Sequence, residues 1–236
     1  LSGIVKYYKI LKNKSSLKSL QKSEAKAIRL FDIIQSEGLI QPGISELDLN
    51  DSIYELAKKE FGIDKFWHKR IVRAGENTLA PYKENPPNLT LQKDDILFLD
   101  FGPIFDAFEA DVGRTYVLGN NPKKLKLQKD VEKAWVKARD YFIKEKNVTG
   151  ASLYTYCQKL AEDFGWEFGG EIAGHVVGRF PHQNIEALPK DIYIHPENQV
   201  DLKQTTKDLE ETHWIIEIHF VDRELKIGGF YEQLAI

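Results

Sequence analysis

One order of elements occurs twice in this chain, and that repetition narrows most sharply what it can fold into. Apolar residues at helical spacing (Ala27, Leu30, Phe31, Ile34) predict a helix over about Ser16 to Ser36. Ser45-Glu46-Leu47-Asp48 reads as a capping box that opens a second helix, running to Phe61 with Gly62 as its stop. After the Pro/Asn-rich loop "APYKENPPN", the stretches "DDILFLDFG" and "ADVGRTYVLG" read as strands. The same order then returns: a long helix at about Leu125 to Lys146, a shorter one over Ala151 to Phe164 stopped by Gly165, and strands at "HWIIEIHFVD" and "GGFYEQLAI". The second helices even end alike, "LAKKEFG" and "LAEDFG". Helix–helix–hairpin twice over, with no linker beyond "GNNPKK", predicts a single α+β domain over residues 1–236, built from two similar halves and including an N-terminal extension over 1–16.

Composition closes several function classes. A net charge of −3 leaves no electrostatic footprint for nucleic acid. The lysines at the start (Lys6 to Lys26) fit a solvated helix face better than a membrane or DNA contact. No apolar run reaches the ~18 residues of a membrane span and no signal-peptide pattern opens the chain, so a soluble, cytoplasmic protein is expected. The chain holds no Met, and Leu1 is not expected as a native start. The one cysteine, Cys157, excludes an internal disulfide and a Cys-based zinc site; it shares a helix face with Leu153, Leu160, Ala161 and Phe164 and is expected in the core.

The strands carry charges that need partners. Asp100 and Asp111 are separated by an odd interval, which places them opposite each other if the hairpin is centred on Phe105-Asp106. Glu217 and Glu232 are likewise an odd interval apart, about a turn near Glu224-Leu225. Like charges so placed repel unless a cation intervenes. Four carboxylates from two related hairpins, meeting at a central seam, predict an acidic pocket suited to divalent ions. A histidine would complete it, and "GGEIAGHVVGRFPHQN" offers His175 and His182: one as ligand, the other positioning substrate or moving a proton. His68, His195, His213 and His219 lack such a context and are expected to be structural or on the surface.

Together, "DFGPIFDAFEADVGRTYVLG", "AGHVVGRFPH", "WIIEIHF" and "YEQLAI" resemble the successive metal motifs of the pita-bread (M24, creatinase/aminopeptidase) metallopeptidases. The likeness runs from about Leu17 to the C-terminus and is nearest to the Xaa-Pro aminopeptidase branch. It implies a pita-bread fold, two pseudo-symmetric halves around a central antiparallel sheet. It also implies five metal ligands, Asp100, Asp111, His175, Glu217 and Glu232, holding two divalent ions (Mn, Co, Fe or Zn). The implied activity is aminopeptidase hydrolysis of a peptide bond by activated water. Glu217 doubles as proton shuttle, and His182 contacts substrate and steadies the tetrahedral intermediate. The partner implied is a peptide, with neither nucleic acid nor membrane; a homodimer stays open.

Several features depart from the family pattern, among them a short interval from Glu217 to Glu232 that leaves the second hairpin little room for an insertion. Pro81-Tyr82 stands where the Xaa-Pro branch has a His-Tyr pair, leaving His68 as a candidate substitute. Gly113 replaces the usual Thr or Ser two residues after the second Asp, although Arg114-Thr115 are kept. No large N-terminal domain is expected before the matching region, unlike in the long Xaa-Pro enzymes and creatinase. The alternatives are a catalytically silent pita-bread module that binds a protein or peptide, and a methionine aminopeptidase-like specificity. A kinase reading of "DFG" fails for want of a His-Arg-Asp loop and a Gly-rich nucleotide loop.

Overall fold

The computed structural model describes residues 17–180, 190–203 and 213–236, and within them the two-fold order of elements is present. Helices α1 (Leu17–Ser36) and α2 (Glu46–Phe61) lead into β1 (Ile71–Ala74), a 3-10 turn (Gly75–Leu79), β2 (Ile96–Phe101), the short pair β3 (Ile104–Phe105) and β4 (Phe108–Glu109), and β5 (Val112–Val117). Helices α3 (Pro122–Lys144) and α4 (Gly150–Phe164) then lead into β6 (Glu167–Phe168), β7 (Gly174–Val177), β8 (His213–Asp222) and β9 (Ile227–Leu234).

Local chemistry sets the helix ends. Ser45 caps α2 by accepting from the Asp48 amide, and Gly62 closes it in the left-handed conformation (φ 65°). Thr149 and Ser152 form a full capping box on α4, which Gly165 ends. Helix α3 starts three residues before the expected Leu125, because Asn121 accepts from the Lys123 and Lys124 amides and Pro122 sits at the first helical position.

The strands form an antiparallel sheet in the order β1-β2-β5-β9-β8-β6, with β7 also paired to β8. Alternation sorts its two faces. Leu97, Leu99 and Phe101 of β2 pack with Leu30, Phe31 and Ile53 of α1 and α2. Trp214, Ile216, Ile218 and Phe220 of β8 pack with Val131, Trp135 and Leu153 of α3 and α4. The helices of both halves thus cover one face, and the other presents Asp100, Glu217, His219 and Glu232. At the seam between halves, β5 and β9 share the register pair Gly113↔Glu232. Side chains reinforce it: Thr115 Oγ1 donates to the Phe230 carbonyl and accepts from the Phe230 amide, while Arg114 donates to the Glu232 carbonyl at 2.8 Å.

Glu46, at the start of α2, is buried and fixes the rim that follows β1. It accepts from the Ala74 amide (2.6 Å), the Asn77 side chain (2.8 Å) and the Leu89 amide (3.1 Å). Glu46→Ala leaves these donors unpaired and is expected to cost about 2–4 kcal/mol. Equilibrium urea unfolding measures this, and an unchanged midpoint would show that the rim is held by other means.

Candidate metal centre

Asp100 ends β2 and Asp111 immediately precedes β5, but they are not directly opposed. The turn between them falls at Asp106-Ala107, both with positive φ (51° and 68°), so Asp100 pairs with Gly113. Asp111, two residues before Gly113, lies diagonal to Asp100 on the same face. The second hairpin matches expectation: Glu217 lies directly opposite Glu232. His175 arrives from β7, whose path requires Gly174 (φ 139°), since a Cβ there would lie 2.0 Å from the Ile215 carbonyl oxygen.

All five predicted ligands therefore face one cluster, which a sixth residue, His68, joins. His175 Nε2 lies 3.1 Å from Asp111 Oδ2 and 3.6 Å from Glu232 Oε1. His68 Nε2 lies 3.1 Å from Asp111 Oδ1 and 3.5 Å from Asp100 Oδ1. Two groups have ligand atoms close enough to hold one ion: His68, Asp100, Asp111 and Asp111, His175, Glu232. Asp111 belongs to both. Glu217 is half-buried and hydrogen-bonds to Glu232. Asp100 Oδ1 and Glu232 Oε2 are buried without a hydrogen-bond partner among the described residues. Buried carboxylate oxygens are costly unless something positive faces them, so this donor set fits divalent cations.

With protein charges alone, burial pushes the Asp100 and Glu217 carboxyls up to about 7 and Glu232 well above the carboxylate range. Burial acts on Asp111 too, but the His68 and His175 imidazoles outweigh it and hold that group at about 2. Burial opposes charge on His68 as well; the Asp111 and Asp100 carboxylates together win and raise it to about 9. The sign of a pH effect follows. Asp100, Glu217 and His68 have ordinary values of 3.8, 4.5 and 6.5, so the folded protein holds more protons than the unfolded chain between pH 6.5 and about 9. Stability without added metal then falls as pH rises through that window. His219, pushed by burial down to about 4, acts in the opposite sense only below 6.5. Thermal unfolding in a chelator should show a Tm that drops from about pH 6.5 to 9, and a rising Tm would contradict this electrostatic account.

The cluster lines a cavity of about 680 Å³, walled also by Trp67, Arg73, Pro81, Tyr82, Phe98, His195, His219 and Phe230. Such a volume suits a small organic ligand or short peptide. His219 donates from Nε2 to the Thr78 carbonyl at 2.8 Å with its ring held neutral by burial, so it builds the wall. Cys157, on the buried face of α4, is fully enclosed in the core and burial pushes its thiol up, as expected of a packing residue. The predicted substrate contact His182 lies outside the described residues.

The model of metallopeptidase family M24 matches residues 18–223. The chain belongs to metallopeptidase family M24. An Xaa-Pro dipeptidase of Lactobacillus delbrueckii subsp. lactis is 24% identical over 184 residues, covering 78% of this chain and 49% of that one. Among solved structures, an X-Pro aminopeptidase of Thermotoga maritima aligns with a TM-score of 0.73 at 20% identity, over 98% of this chain and 61% of that one. A methionine aminopeptidase of Rickettsia prowazekii aligns with a TM-score of 0.68 at 17% identity, over 93% of both chains. These likenesses establish the pita-bread α+β fold, and the proteins that this M24 chain is similar to include an Xaa-Pro dipeptidase and an X-Pro aminopeptidase. The chain spans about half the length of the curated relatives it matches. No described helix is long and apolar enough to cross a membrane.

Two positions that depart from the family pattern lie at this site. Pro81 lines the cavity, and His68 stands 6.0 Å, ring to ring, from the adjacent Tyr82. Gly113 lies under the Phe230 ring, which a Cβ would approach to 2.4 Å. Sequence reasoning left His68 a default structural residue and named it only as a stand-in for the missing histidine. Its place depends on a contact with Asp111, far along the chain, that no local motif encodes.

Proposed function

We propose that this M24 protein is a metal-dependent exopeptidase of the Xaa-Pro type, removing an N-terminal residue from small peptides with water activated at a dinuclear centre. One observation carries the reading: Asp100, Asp111, His175, Glu217 and Glu232 converge on one buried cluster at the floor of a peptide-sized cavity. Asp111, a member of both ligand groups, would be shared by the two positions; Asp100 would serve one, and His175 and Glu232 the other, with Glu217 beside Glu232. Bound there, divalent ions such as Mn²⁺, Co²⁺, Fe²⁺ or Zn²⁺ lower the pKa of a water and polarise the scissile carbonyl.

The protein's own groups do the rest. Glu217, which lines the cavity and whose carboxyl is raised to about 7, takes the proton from the attacking water and passes it to the leaving amine. Phe98 and Phe230, 5.2 Å apart, supply an apolar wall against which a side chain or proline ring packs. His182 keeps the substrate-contacting role that the family resemblance implies for it.

The test is metal analysis of the purified protein, then hydrolysis of an N-terminal dipeptide and tripeptide library with and without Mn²⁺ or Co²⁺. Metal-dependent cleavage before proline is the expected outcome. Cleavage of dipeptides alone makes the protein a dipeptidase, and release of N-terminal Met makes it methionine aminopeptidase-like. Two bound ions without cleavage of any peptide would favour a silent binding module.

A further inference from the structure

Asp111 stands between two imidazoles, one at each oxygen: His68 Nε2 at 3.1 Å from Oδ1 and His175 Nε2 at 3.1 Å from Oδ2. Both rings are pinned alike. Nδ1 of His175 meets the carbonyl of Val176 at 3.0 Å, and Nδ1 of His68 meets the carbonyl of Lys69 at 2.7 Å. A carbonyl only accepts, so Nδ1 carries the proton in each ring. Each Nε2 then shares its own proton with the Asp111 carboxylate, and a cation taking the place of that proton would meet the Nε2 lone pair with Nδ1–H still held by its carbonyl, which is the tautomer and second-shell bond of a metal-binding histidine.

The position of His68 is built rather than incidental. The strand end at Gly102–Ile104 holds the preceding segment through Ile104 N–H to the Lys65 carbonyl (3.1 Å) and Trp67 N–H to the Gly102 carbonyl (2.9 Å). Trp67 Nε1 donates to the Ala110 carbonyl at 3.0 Å. Any Cβ at residue 102 would come within 2.3 Å of the His68 ring, so Gly102 admits it. Beside it, Asp100 Oδ1 is buried with no hydrogen-bond partner among the described residues.

We propose that His68 is a sixth metal ligand, completing with Asp100 and Asp111 a position that would otherwise be bound by carboxylates alone. This rests on the dinuclear reading above and adds a residue that the Asp-Asp-His-Glu-Glu order does not contain. An imidazole at each position also biases the centre toward Zn²⁺, Co²⁺ or Fe²⁺ over Mn²⁺.

The test is titration of chelator-treated protein with Co²⁺, followed by visible absorption and calorimetry, in wild type and His68→Ala. Wild type is expected to bind two ions. His68→Ala should weaken one of them by about 100-fold or more and leave the other near its original affinity, with an altered Co²⁺ spectrum. Two ions bound by the variant with unchanged affinities and spectrum would overturn the proposal while leaving the peptidase reading intact. Failure of wild type to bind two ions would overturn both. Should His68→Ala not fold, ¹⁵N imidazole shifts decide in the wild-type chain: on Zn²⁺ addition the Nε2 signals of both His68 and His175 should move, and movement of His175 alone refutes the assignment.

Discussion

Asp111→Ala is expected to lose metal-dependent cleavage by at least about 10³-fold and to lose bound metal with it, while the chain stays folded. Asp111 is only 2% exposed and is the member that both candidate ligand groups share, so its removal affects both ions at once. Asp100, in one of the two groups, should cost less metal when replaced. The fold survives because the opposing effects nearly cancel. Losing Asp111 removes the partner of His68 and His175, yet relieves the repulsion that it exerts on Asp100 and Glu232. Its carboxylate is held at about 2 by those imidazoles after burial has opposed them, a net shift worth about 2 kcal/mol against the ~5–15 kcal/mol of a typical domain. Metal analysis, circular dichroism and peptide cleavage on one preparation check the three parts. Undiminished cleavage would refute the ligand assignment, and collapse of the dichroism spectrum would refute the cancellation.

The parts of the centre that were legible in the sequence are those fixed by local rules. Gly62 and Gly165 announced helix ends because each stop needs a left-handed residue. Glu217 and Glu232 could be placed opposite each other because β8 and β9 alternate without interruption up to their turn. The first hairpin defied the same counting. Its turn is Asp106-Ala107, and an alanine at φ 68° gives none of the glycine or asparagine signal that marks such a turn. Moving the turn by one residue shifts the register by two, so Asp111 stays on the correct face but meets Asp100 diagonally. His68 was hidden for a different reason. Its contact with Asp111 arises only after the Lys65–Trp67 segment lies along the end of β2, an arrangement that depends on Gly102 for clearance.

Glu217→Gln is expected to separate proton transfer from metal binding. Of the five carboxylate and imidazole positions inferred from the sequence, Glu217 alone falls outside both tight ligand groups, and it is half-buried where Asp111 and Glu232 are almost fully enclosed. It lines the cavity, so its carboxyl is available to a bound peptide. Burial raises it to about 7, where a carboxyl can both accept and release a proton at physiological pH. Glutamine keeps the size and one oxygen of the side chain but cannot shuttle a proton. Asp111, His175 and Glu232 remain, so metal should be retained while kcat falls by about 10²–10⁴-fold. The contrast with Asp111→Ala is the informative part, since that variant should lose metal and turnover together. Metal content, kcat and KM measured side by side test it. Full turnover in metal-loaded Glu217→Gln would move the proton shuttle to another residue lining the cavity, whereas loss of metal in step with activity would make Glu217 a ligand only.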